Sequence, residues 1–261
     1  MTKTACAAAV LVAALSLGGC VANGPGSHDV IVNAPPATDF SALYAQAVAD
    51  GRRPAEETAR DPLRHPAQML AFMGVKPGDA IADVRPGAGY FTRLFASVAG
   101  PAGRVYAFVP NQTATRDEGP ADALAAVYPN VSRVTGSLEA MTVDRPLDIV
   151  FMGQEYHDFV IPRFGVDVAR MNAAVFAALK PGGLYVILDH QAAAGAGTDV
   201  VGTLHRIEGA ALRRQVEAAG FVFDGESAVV RNPEDDHSLN VFDPAIRGRT
   251  DQFVYRFRKP G

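Results

Sequence analysis

Short apolar runs alternate along the chain with segments whose apolar residues recur at helical spacing. The clearest unit joins an apolar run ending at Asp83, a glycine-bearing turn over residues 85–89, and a segment with helical periodicity. The periodic residues of that segment are Phe91, Leu94, Phe95 and Val98. This pattern predicts a strand, a tight turn and a helix. Such a turn can bring backbone N–H groups close to a ligand, or it can join the strand to the helix with no ligand present.

The rest of the pattern extends this unit into an α/β fold. After the run that ends at Asp83, further strands are predicted over residues 104–109, 131–134, 147–152, 184–188 and 221–230, and around residues 253–257. Helical segments separate most of these strands, which predicts a parallel sheet with right-handed crossovers. No helix separates the last two strands, so the final strand is expected to be antiparallel. The prediction is a Rossmann-like, seven-stranded, mostly parallel sheet with an antiparallel last strand and helices on both faces.

Three connecting segments complete the predicted domain. Residues 39–73 show helical spacing broken by prolines, which predicts an N-terminal helical flank. Residues 111–119 are polar and are expected to form a loop. Residues 231–251 form a long connection between the last two strands, and connections of that length are usually functional or disordered.

The amino terminus has the features of an export signal. Lys3 precedes an apolar run over residues 5–17, which is too short for a comfortable membrane span and ends in small residues. The sequence Leu-Gly-Gly-Cys ending at Cys20 resembles a bacterial lipoprotein signal, in which cleavage precedes a lipidated cysteine. The expected organisation is a signal peptide (1–19), a lipidated tether (20–38) and the folded domain (39–261). An uncleaved signal anchor and a cytosolic protein with a hydrophobic start are the alternatives.

Composition and charge narrow the expected partners. The chain has 261 residues, 48% hydrophobic content and a net charge of -4, which gives no electrostatic reason to expect nucleic acid. Its cysteines are Cys6, inside the expected signal peptide, and Cys20, so no disulfide is expected in the mature chain. We expect a small-molecule partner, membrane attachment through the lipid, and a location on the periplasmic side of a bacterial envelope. The oligomeric state is left open.

Several motifs together resemble the class I S-adenosylmethionine-dependent methyltransferases. They are the glycine turn after the first strand, the apolar fourth strand, the Lys-Pro-Gly-Gly turn at residues 180–183, and the last strand pair without a helix between them. Within that class the chain is most similar to exported bacterial proteins described as predicted methyltransferases. The segments that carry this similarity are residues 86–92, 156–158, 189–190, 204–206 and 242–248.

The resemblance implies S-adenosylmethionine as the cofactor and places its binding residues on the first turn. These residues are Asp83, Arg85, Gly87, Gly89 and Tyr90. Arg85 stands where the class usually has a glycine. It could bind the carboxylate of the methionine moiety, or it could fill the space of the cofactor. The second strand ends at residues 107–110 without the acidic residue that usually binds the ribose.

Ionisable side chains follow the fourth and fifth predicted strands. Because ligands bind outside the carboxyl ends of the strands in such sheets, these side chains are expected to share a rim. We expect His157, Asp158 and His190 to act in catalysis, with an imidazole accepting a proton and a carboxylate orienting it. Helix capping is the simpler alternative for each. No recognised metal motif is present and no metal is assigned. The hypothesis that the rim residues bind a metal, together with Asp189, His205 and Glu208, stays open.

The function expected from the sequence is methyl transfer from S-adenosylmethionine to an unknown, small-molecule acceptor by an exported, lipid-anchored protein. A rival hypothesis is a non-enzymatic ligand-binding or envelope-associated protein on a degenerate methyltransferase fold. It rests on Arg85, on the missing strand-two acid, and on export to a place without an obvious supply of the cofactor. A third, weaker hypothesis is a metal-dependent enzyme that uses the rim.

Overall fold

The computed structural model describes residues 1–2 and 39–261. The remainder of the predicted signal peptide and the whole predicted tether (20–38), with the expected lipidation site Cys20, lie outside the described residues. Within the described part, no helix combines the length and the apolar character needed to cross a membrane.

A seven-stranded sheet forms the centre of the domain, with the strand order β3-β2-β1-β4-β5-β7-β6. Strands β1 to β5 pair in parallel, and β7 runs antiparallel to both β5 and β6. This arrangement confirms the sheet predicted from the sequence, including the reversed last strand. The strands are β1 (Ala80–Val84), β2 (Arg104–Pro110), β3 (Val131–Gly136), β4 (Leu147–Gly153), β5 (Leu179–His190), β6 (Val222–Ser227) and β7 (Gln252–Arg258).

The central strands are apolar on both faces because helices cover both sides of the sheet. Alternate residues of β1 belong to different cores, with Ile81 in one and Ala82 in the other. The same alternation holds in β4, where Ile149 and Val150 face opposite sides. A strand buried on both faces carries a continuous apolar run rather than an alternating one, which is the pattern seen in the sequence.

Ten α-helices flank this sheet within residues 39–261. The core around Ile81 includes residues of α1, α4, α5 and α6, whereas the opposite core includes residues of α7, α8, α9 and α10. Helices α1 to α4 form the predicted N-terminal flank. The helices are α1 (Ser41–Val48), α2 (Ala55–Thr58), α3 (Asp61–Arg64), α4 (Pro66–Met73), α5 (Tyr90–Ala99), α6 (Ala114–Val127), α7 (Tyr156–Val160), α8 (Val168–Ala178), α9 (Val201–Leu204) and α10 (Gly209–Glu217).

Helix α6 corrects one expectation. The segment 111–119 was expected to be a polar loop, but residues 111–113 form a 3₁₀ turn and α6 begins at Ala114. The buried residues of α6 are Asp117, Ala121 and Leu124, at the i, i+4, i+7 spacing of one helix face. Because the first of these is a carboxylate, the amphipathic pattern of the amino-terminal half is hidden in the sequence.

The long connection between the last two strands is an ordered part of the domain. Arg206 is fully buried and forms a two-pronged ion pair with Asp235, at 2.8 and 3.0 Å. Its guanidinium also donates to the backbone oxygens of Gln191 and Leu239. Arg206 thus fastens the connection to the segment that follows β5.

Candidate functional site

The turn after β1 carries two glycines that meet different structural needs. Gly87 and Gly89 have φ values of 56° and 92°, a region that favours glycine. A Cβ on Gly89 would lie 2.4 Å from a methyl carbon of Leu124, so Gly89 allows α5 and α6 to pack closely. A Cβ on Gly87 would meet nothing within 4 Å. Gly87 therefore exposes its backbone to open space at the carboxyl end of β1, where such sheets bind ligands.

Asp83 lies beneath this turn and is only 3% exposed. Its carboxylate accepts a hydrogen bond of 2.6 Å from the hydroxyl of Thr92, in the first turn of α5. Burial raises the pKa of Asp83 to about 7, although the hydrogen bonds from Thr92 oppose the rise. The carboxyl group therefore links β1 to α5 and changes its charge near neutral pH.

Arg85 extends from the turn into a cluster of carboxylates. Its Nη1 donates to Glu155 and, at 2.9 Å, to Oδ2 of Asp158, while its Nε lies 3.5 Å from Asp117. The Arg85 side chain is only 9% exposed. Its φ is 53°, although it is not a glycine. The strand-to-helix turn is thereby tied to α6 and α7 through one guanidinium.

Asp117 belongs to this site but was not singled out from the sequence. It lies on α6, in the segment expected to be a loop, and also pairs with Arg116 at 2.7 Å. A buried aspartate with two arginine partners is visible only once α6 is placed over the turn. The nearest signal in the sequence was the spacing of Asp117, Ala121 and Leu124.

Two histidines and two carboxylates form a network beside Arg85. The Nδ1 of His157 is 2.6 Å from Asp189, and the backbone N–H of His157 donates to the same carboxylate at 2.8 Å. The Nδ1 of His205 is 2.9 Å from Oδ1 of Asp158, the carboxylate that accepts from Arg85. The Nε2 of His157 is 3.3 Å both from that oxygen and from Nδ1 of His205. The structure thus brings Asp158 and His157 together with His205, which the sequence offered only as an additional metal ligand.

His190 lies next to this network but points to different partners. Its ring centroid is 5.8 Å from that of His157, and its Nδ1 is 2.8 Å from the hydroxyl of Thr250. Glu208, the other additional candidate, accepts hydrogen bonds from the backbone of Gly195 and Gly197 and holds that loop. His190 therefore shares the rim, whereas Glu208 serves a neighbouring loop.

The surroundings move the pKa values of His157 and His190 away from neutrality, in opposite directions. Burial by itself lowers the pKa of His157, but the charges of Asp189 and Asp158 outweigh burial and raise it to about 10. Burial lowers the pKa of His190 to about 3 despite the nearby Asp189. At neutral pH His157 is accordingly a proton donor and His190 is uncharged. The role of either histidine as a proton acceptor stays a prediction.

Tyr90 anchors the N-terminal flank over the turn. Its hydroxyl donates to Asp61 at 2.6 Å, and burial raises its pKa above the ordinary value. The guanidinium groups of Arg53, Arg60 and Arg64 lie 5.3, 5.3 and 4.7 Å from its ring centre. Such cation–π contacts hold the cationic flank against the first residue of α5.

Two cavities meet at the carboxyl edge of the sheet. The smaller, of 170 Å³, is lined by the turn after β1 and by the end of β4. The larger, of 380 Å³, lies between the N-terminal flank and the connection over residues 231–251, which we call the late connection. Arg60, Arg64 and Gln154 line both, so the cavities adjoin. Sites for drug-sized ligands usually measure about 300–1,000 Å³, so the smaller cavity accommodates such a ligand only if side chains move.

The larger cavity, which we call the arginine cavity, is cationic. It is lined by Arg60, Arg64 and Arg247, and its described lining includes no carboxylate. His190 and Phe242 also line it. Burial, followed by repulsion from Arg60, lowers the pKa of Arg64 to about 10, which leaves that guanidinium charged at neutral pH. This composition suits an anionic small molecule.

Backbone strain is concentrated at this site. Among the described residues, five non-glycine residues have a positive φ, and three of them are Arg85, Gln154 and His205. Each costs free energy of about 1–3 kcal/mol and persists only where the surrounding structure enforces it. The side chain of Gln154 accepts a hydrogen bond of 3.2 Å from Arg64 and donates one of 3.0 Å to Gln252. Such clustering is typical of binding and catalytic sites.

Comparison with known proteins shows a similarity in three-dimensional structure. No protein-family model matches the chain, and no curated protein matches it. An S-adenosylmethionine-dependent methyltransferase from Aquifex aeolicus is 16% identical, with a TM-score of 0.53 over 85% of this chain and 98% of that chain. The N-methyltransferase NodS from Bradyrhizobium japonicum is 11% identical, with a TM-score of 0.54 over 79% and 99%. An arsenic(III) S-adenosylmethionine methyltransferase from Chlamydomonas reinhardtii is 16% identical, with a TM-score of 0.51 over 88% and 75%.

These structural neighbours are S-adenosylmethionine-dependent methyltransferases at low sequence identity. At such identities the likeness shows the fold, which is the Rossmann-like methyltransferase fold predicted from the sequence. The expected similarity to exported bacterial methyltransferases stays a prediction. The residues assigned to cofactor binding and catalysis also stay predictions, placed now at one edge of the sheet.

Proposed function

We propose that the protein binds S-adenosylmethionine and transfers its methyl group to an anionic small molecule. One observation carries this proposal: the open backbone at Gly87 lies at the carboxyl end of β1, in a sheet with the methyltransferase strand order, and adjoins a second cavity. Fold by itself does not establish activity, so the argument depends on this site.

The residues of the turn fit the cofactor in part. The N–H groups around Gly87 and the amino end of α5 would receive a carboxylate or polar edge of the ligand. Arg85 would bind the carboxylate of the methionine moiety once it leaves Glu155, because a guanidinium pairs equally well with a ligand carboxylate. The cofactor, when bound, supplies an electrophilic methyl group. Aligning the acceptor with that group is then the main task of the protein.

The arginine cavity supports the proposal of an anionic acceptor. Arg60, Arg64 and Arg247 would neutralise a carboxylate or phosphate and hold the molecule beside the turn. His190 lines the same cavity and is uncharged at neutral pH, so it would orient an acceptor hydroxyl or amine through a hydrogen bond. The protein would thus contribute position and charge balance.

Calorimetric titration with S-adenosylmethionine and S-adenosylhomocysteine tests the cofactor proposal. We expect saturable binding to the full chain, and at least tenfold weaker binding after Arg85→Ala. Asp199→Ala, an exposed change away from the turn, serves as the control and should bind like the unaltered protein. The absence of both heat and thermal stabilisation at millimolar ligand would sink the cofactor proposal.

A second function is favoured by the ion pairs of Arg85. In the described conformation its side chain lies among Glu155, Asp158 and Asp117, and the cavity on that side measures only 170 Å³. The end of β2 also lacks an acidic residue for the ribose. These features suit a protein that binds an anion in the arginine cavity without transferring a methyl group.

The variant Arg85→Gly separates the two functions. If Arg85 binds the cofactor, its loss weakens binding of S-adenosylmethionine. If Arg85 fills the cofactor space, the unaltered protein does not bind S-adenosylmethionine and the glycine variant gains binding. Titration of both proteins with a dicarboxylate probe shows whether the arginine cavity accepts an anion in either case.

We also propose that the protein acts outside the cytoplasm, attached to a membrane through a lipid on Cys20. The support comes from the charged start, the short apolar run and the Leu-Gly-Gly-Cys ending of residues 3–20. An acylated cysteine binds membranes stably when more than one chain is attached. The stretch up to residue 38 would then act as a tether for the domain.

A further inference from the structure

Three side-chain atoms beside the turn form a small triangle. They are Nε2 of His157, Oδ1 of Asp158 and Nδ1 of His205. The two nitrogens are 3.3 Å apart, and they lie 3.3 and 2.9 Å from the oxygen. We call this set the donor triangle. Two imidazoles and one carboxylate on one face are a recognised donor set for divalent transition metals.

The dimensions of the donor triangle match those of three ligands around one ion. Nitrogen and oxygen ligands lie about 2.0–2.2 Å from a zinc ion. Two such ligands separated by an angle of 90–109° are about 2.8–3.6 Å apart. The observed edges of 2.9–3.3 Å lie within this range, so an ion would require only small movements of the side chains.

Neighbouring groups orient two of the three donors. The Nδ1 of His157 is held by Asp189 at 2.6 Å, which leaves Nε2 directed at the triangle. The other oxygen of Asp158 accepts from Arg85 at 2.9 Å, which leaves Oδ1 directed at the triangle. Carboxylate support of a ligating histidine and hydrogen bonding to a ligating carboxylate are typical of metal sites.

The third donor is held by an unusual backbone conformation. His205 has a φ of 53° and ends α9, and its ring packs edge-on against Phe242 at 5.0 Å between centroids. A histidine is kept in this conformation only when surrounding contacts enforce it. Here the conformation brings Nδ1 of His205 to Asp158, a residue 47 positions away in the chain.

The charges around the donor triangle leave room for a cation. Glu155, Asp158 and Asp189 are buried or half-buried, and Arg85 is the cation paired with two of them. Nε2 of His157 also lies 3.3 Å from Oδ1 of Asp158. Buried charges need compensation by partners or metals. A divalent ion bound by the donor triangle would take the place of the proton on Nε2 of His157 as the positive charge beside these carboxylates.

We propose that His157, Asp158 and His205 bind a divalent transition-metal ion such as Zn²⁺, with Asp189 and Arg85 as orienting residues. The competing arrangement is a purely hydrogen-bonded network in which His157 carries a proton between two carboxylates. Both arrangements use the same side chains. They differ in whether an ion binds with one equivalent and with histidine ligands.

Metal titration of the full chain distinguishes them. After treatment with a chelator, the protein is titrated with Zn²⁺ against a chromophoric competitor. We expect one tight equivalent whose affinity falls more than 100-fold in His157→Gln and in His205→Gln, and about 10–100-fold in Asp189→Asn. His237→Gln is the matched control, because His237 also bonds a carboxylate, Asp251 at 3.0 Å, but belongs to the late connection. It should bind Zn²⁺ like the unaltered protein.

Spectroscopy of the unaltered protein provides a test that does not depend on the folding of variants. X-ray absorption of the zinc-loaded chain should show two imidazole ligands and an oxygen shell, without sulfur from Cys6 or Cys20. Binding weaker than millimolar, equal binding by His205→Gln, or a sulfur ligand would each overturn the proposal. Because the readout is metal content, the result does not depend on methyl transfer.

Discussion

Individual residues of the turn after β1 have different roles in packing, and the same turn carries the proposed ligand contacts. Glycine is required at position 89 because a Cβ there would overlap Leu124, whereas a Cβ at Gly87 would meet open space. Arg85 shares the backbone region of these glycines, with a φ of 53°, and is held there by ion pairs to α6 and α7. The sequence motif alone does not separate these three roles.

Replacement of the two glycines by alanine separates packing from binding. We expect Gly89→Ala to lower the free energy of unfolding by about 2–4 kcal/mol, because its Cβ would overlap Leu124 at 2.4 Å. Gly87→Ala should cost only about 1 kcal/mol, since it meets backbone strain but no atom. Urea unfolding measures both. A similar loss in the two variants would contradict the assignment.

Asp83 predicts a pH dependence of stability. Its pKa of about 7 in the folded protein lies above the ordinary value of 3.8, so the folded state keeps a proton that the unfolded chain releases. The free energy of unfolding therefore falls as pH rises from about 4 to about 7, by at most about 4 kcal/mol. In Asp83→Asn this part of the fall should disappear. Denaturant unfolding of both proteins at several pH values measures the difference, and parallel curves would refute it.

At the scale of elements, two segments remote in sequence close the carboxyl edge of the sheet. Helix α3 of the flank contributes Leu63 and Arg64 to the arginine cavity, and the late connection contributes Phe242 and Arg247. The late connection is held by the ion pair of Arg206, which is buried together with its partner. Loss of that pair should therefore disturb the cavity as well as the stability.

The variant Asp235→Asn tests whether the ion pair between Arg206 and Asp235 keeps the late connection in place. It leaves the Arg206 guanidinium buried without a full countercharge, which typically costs about 3–5 kcal/mol. Hydrogen exchange over residues 231–251 should accelerate before global unfolding. The control is Glu217→Gln, which breaks an exposed pair with Arg213 at 2.9 Å and should cost less than about 0.5 kcal/mol. Unchanged exchange in Asp235→Asn would show that other contacts hold the segment.

At the scale of the whole molecule, the described domain carries the cavities, and the amino-terminal segment carries the proposed export and lipidation signal. The cationic arginine cavity belongs to a chain whose net charge is -4, so its charge is local rather than general. A charge confined to one cavity attracts a small anion without favouring long polyanions.

The proposed lipid anchor makes a prediction about fractionation. Cys20→Ala removes the sulfur that would carry the lipid, so the protein should move from the membrane fraction to the soluble or unprocessed fraction. Cys6→Ala is the matched control, because Cys6 lies in the segment proposed to be removed. Membrane fractionation and the mass of the mature protein measure the outcome. Equal membrane association of both variants would contradict lipidation at Cys20.

The sequence predicted the sheet well because its signals are local. The apolar runs of β1, β4 and β5 and the turns beside them depend on neighbouring residues, and the strand order follows from the crossover rule. Helix α6 was missed in part because its buried face starts with Asp117, a charged residue. The pairing of Asp117 with Arg85 depends on the packing of α6 beside the turn, which no local pattern records.

The same division applies to the site. By itself the sequence determined that Asp83, Gly87 and Gly89 belong to one strand-turn-helix unit and that His157, Asp158 and His190 lie on the same rim. Only the tertiary structure decided that His205 joins His157 and Asp158 within 3.3 Å, and that His190 faces the arginine cavity instead. The physical reason is range: a turn is fixed by its own backbone, whereas a donor set is fixed by segments that meet only after the chain has packed.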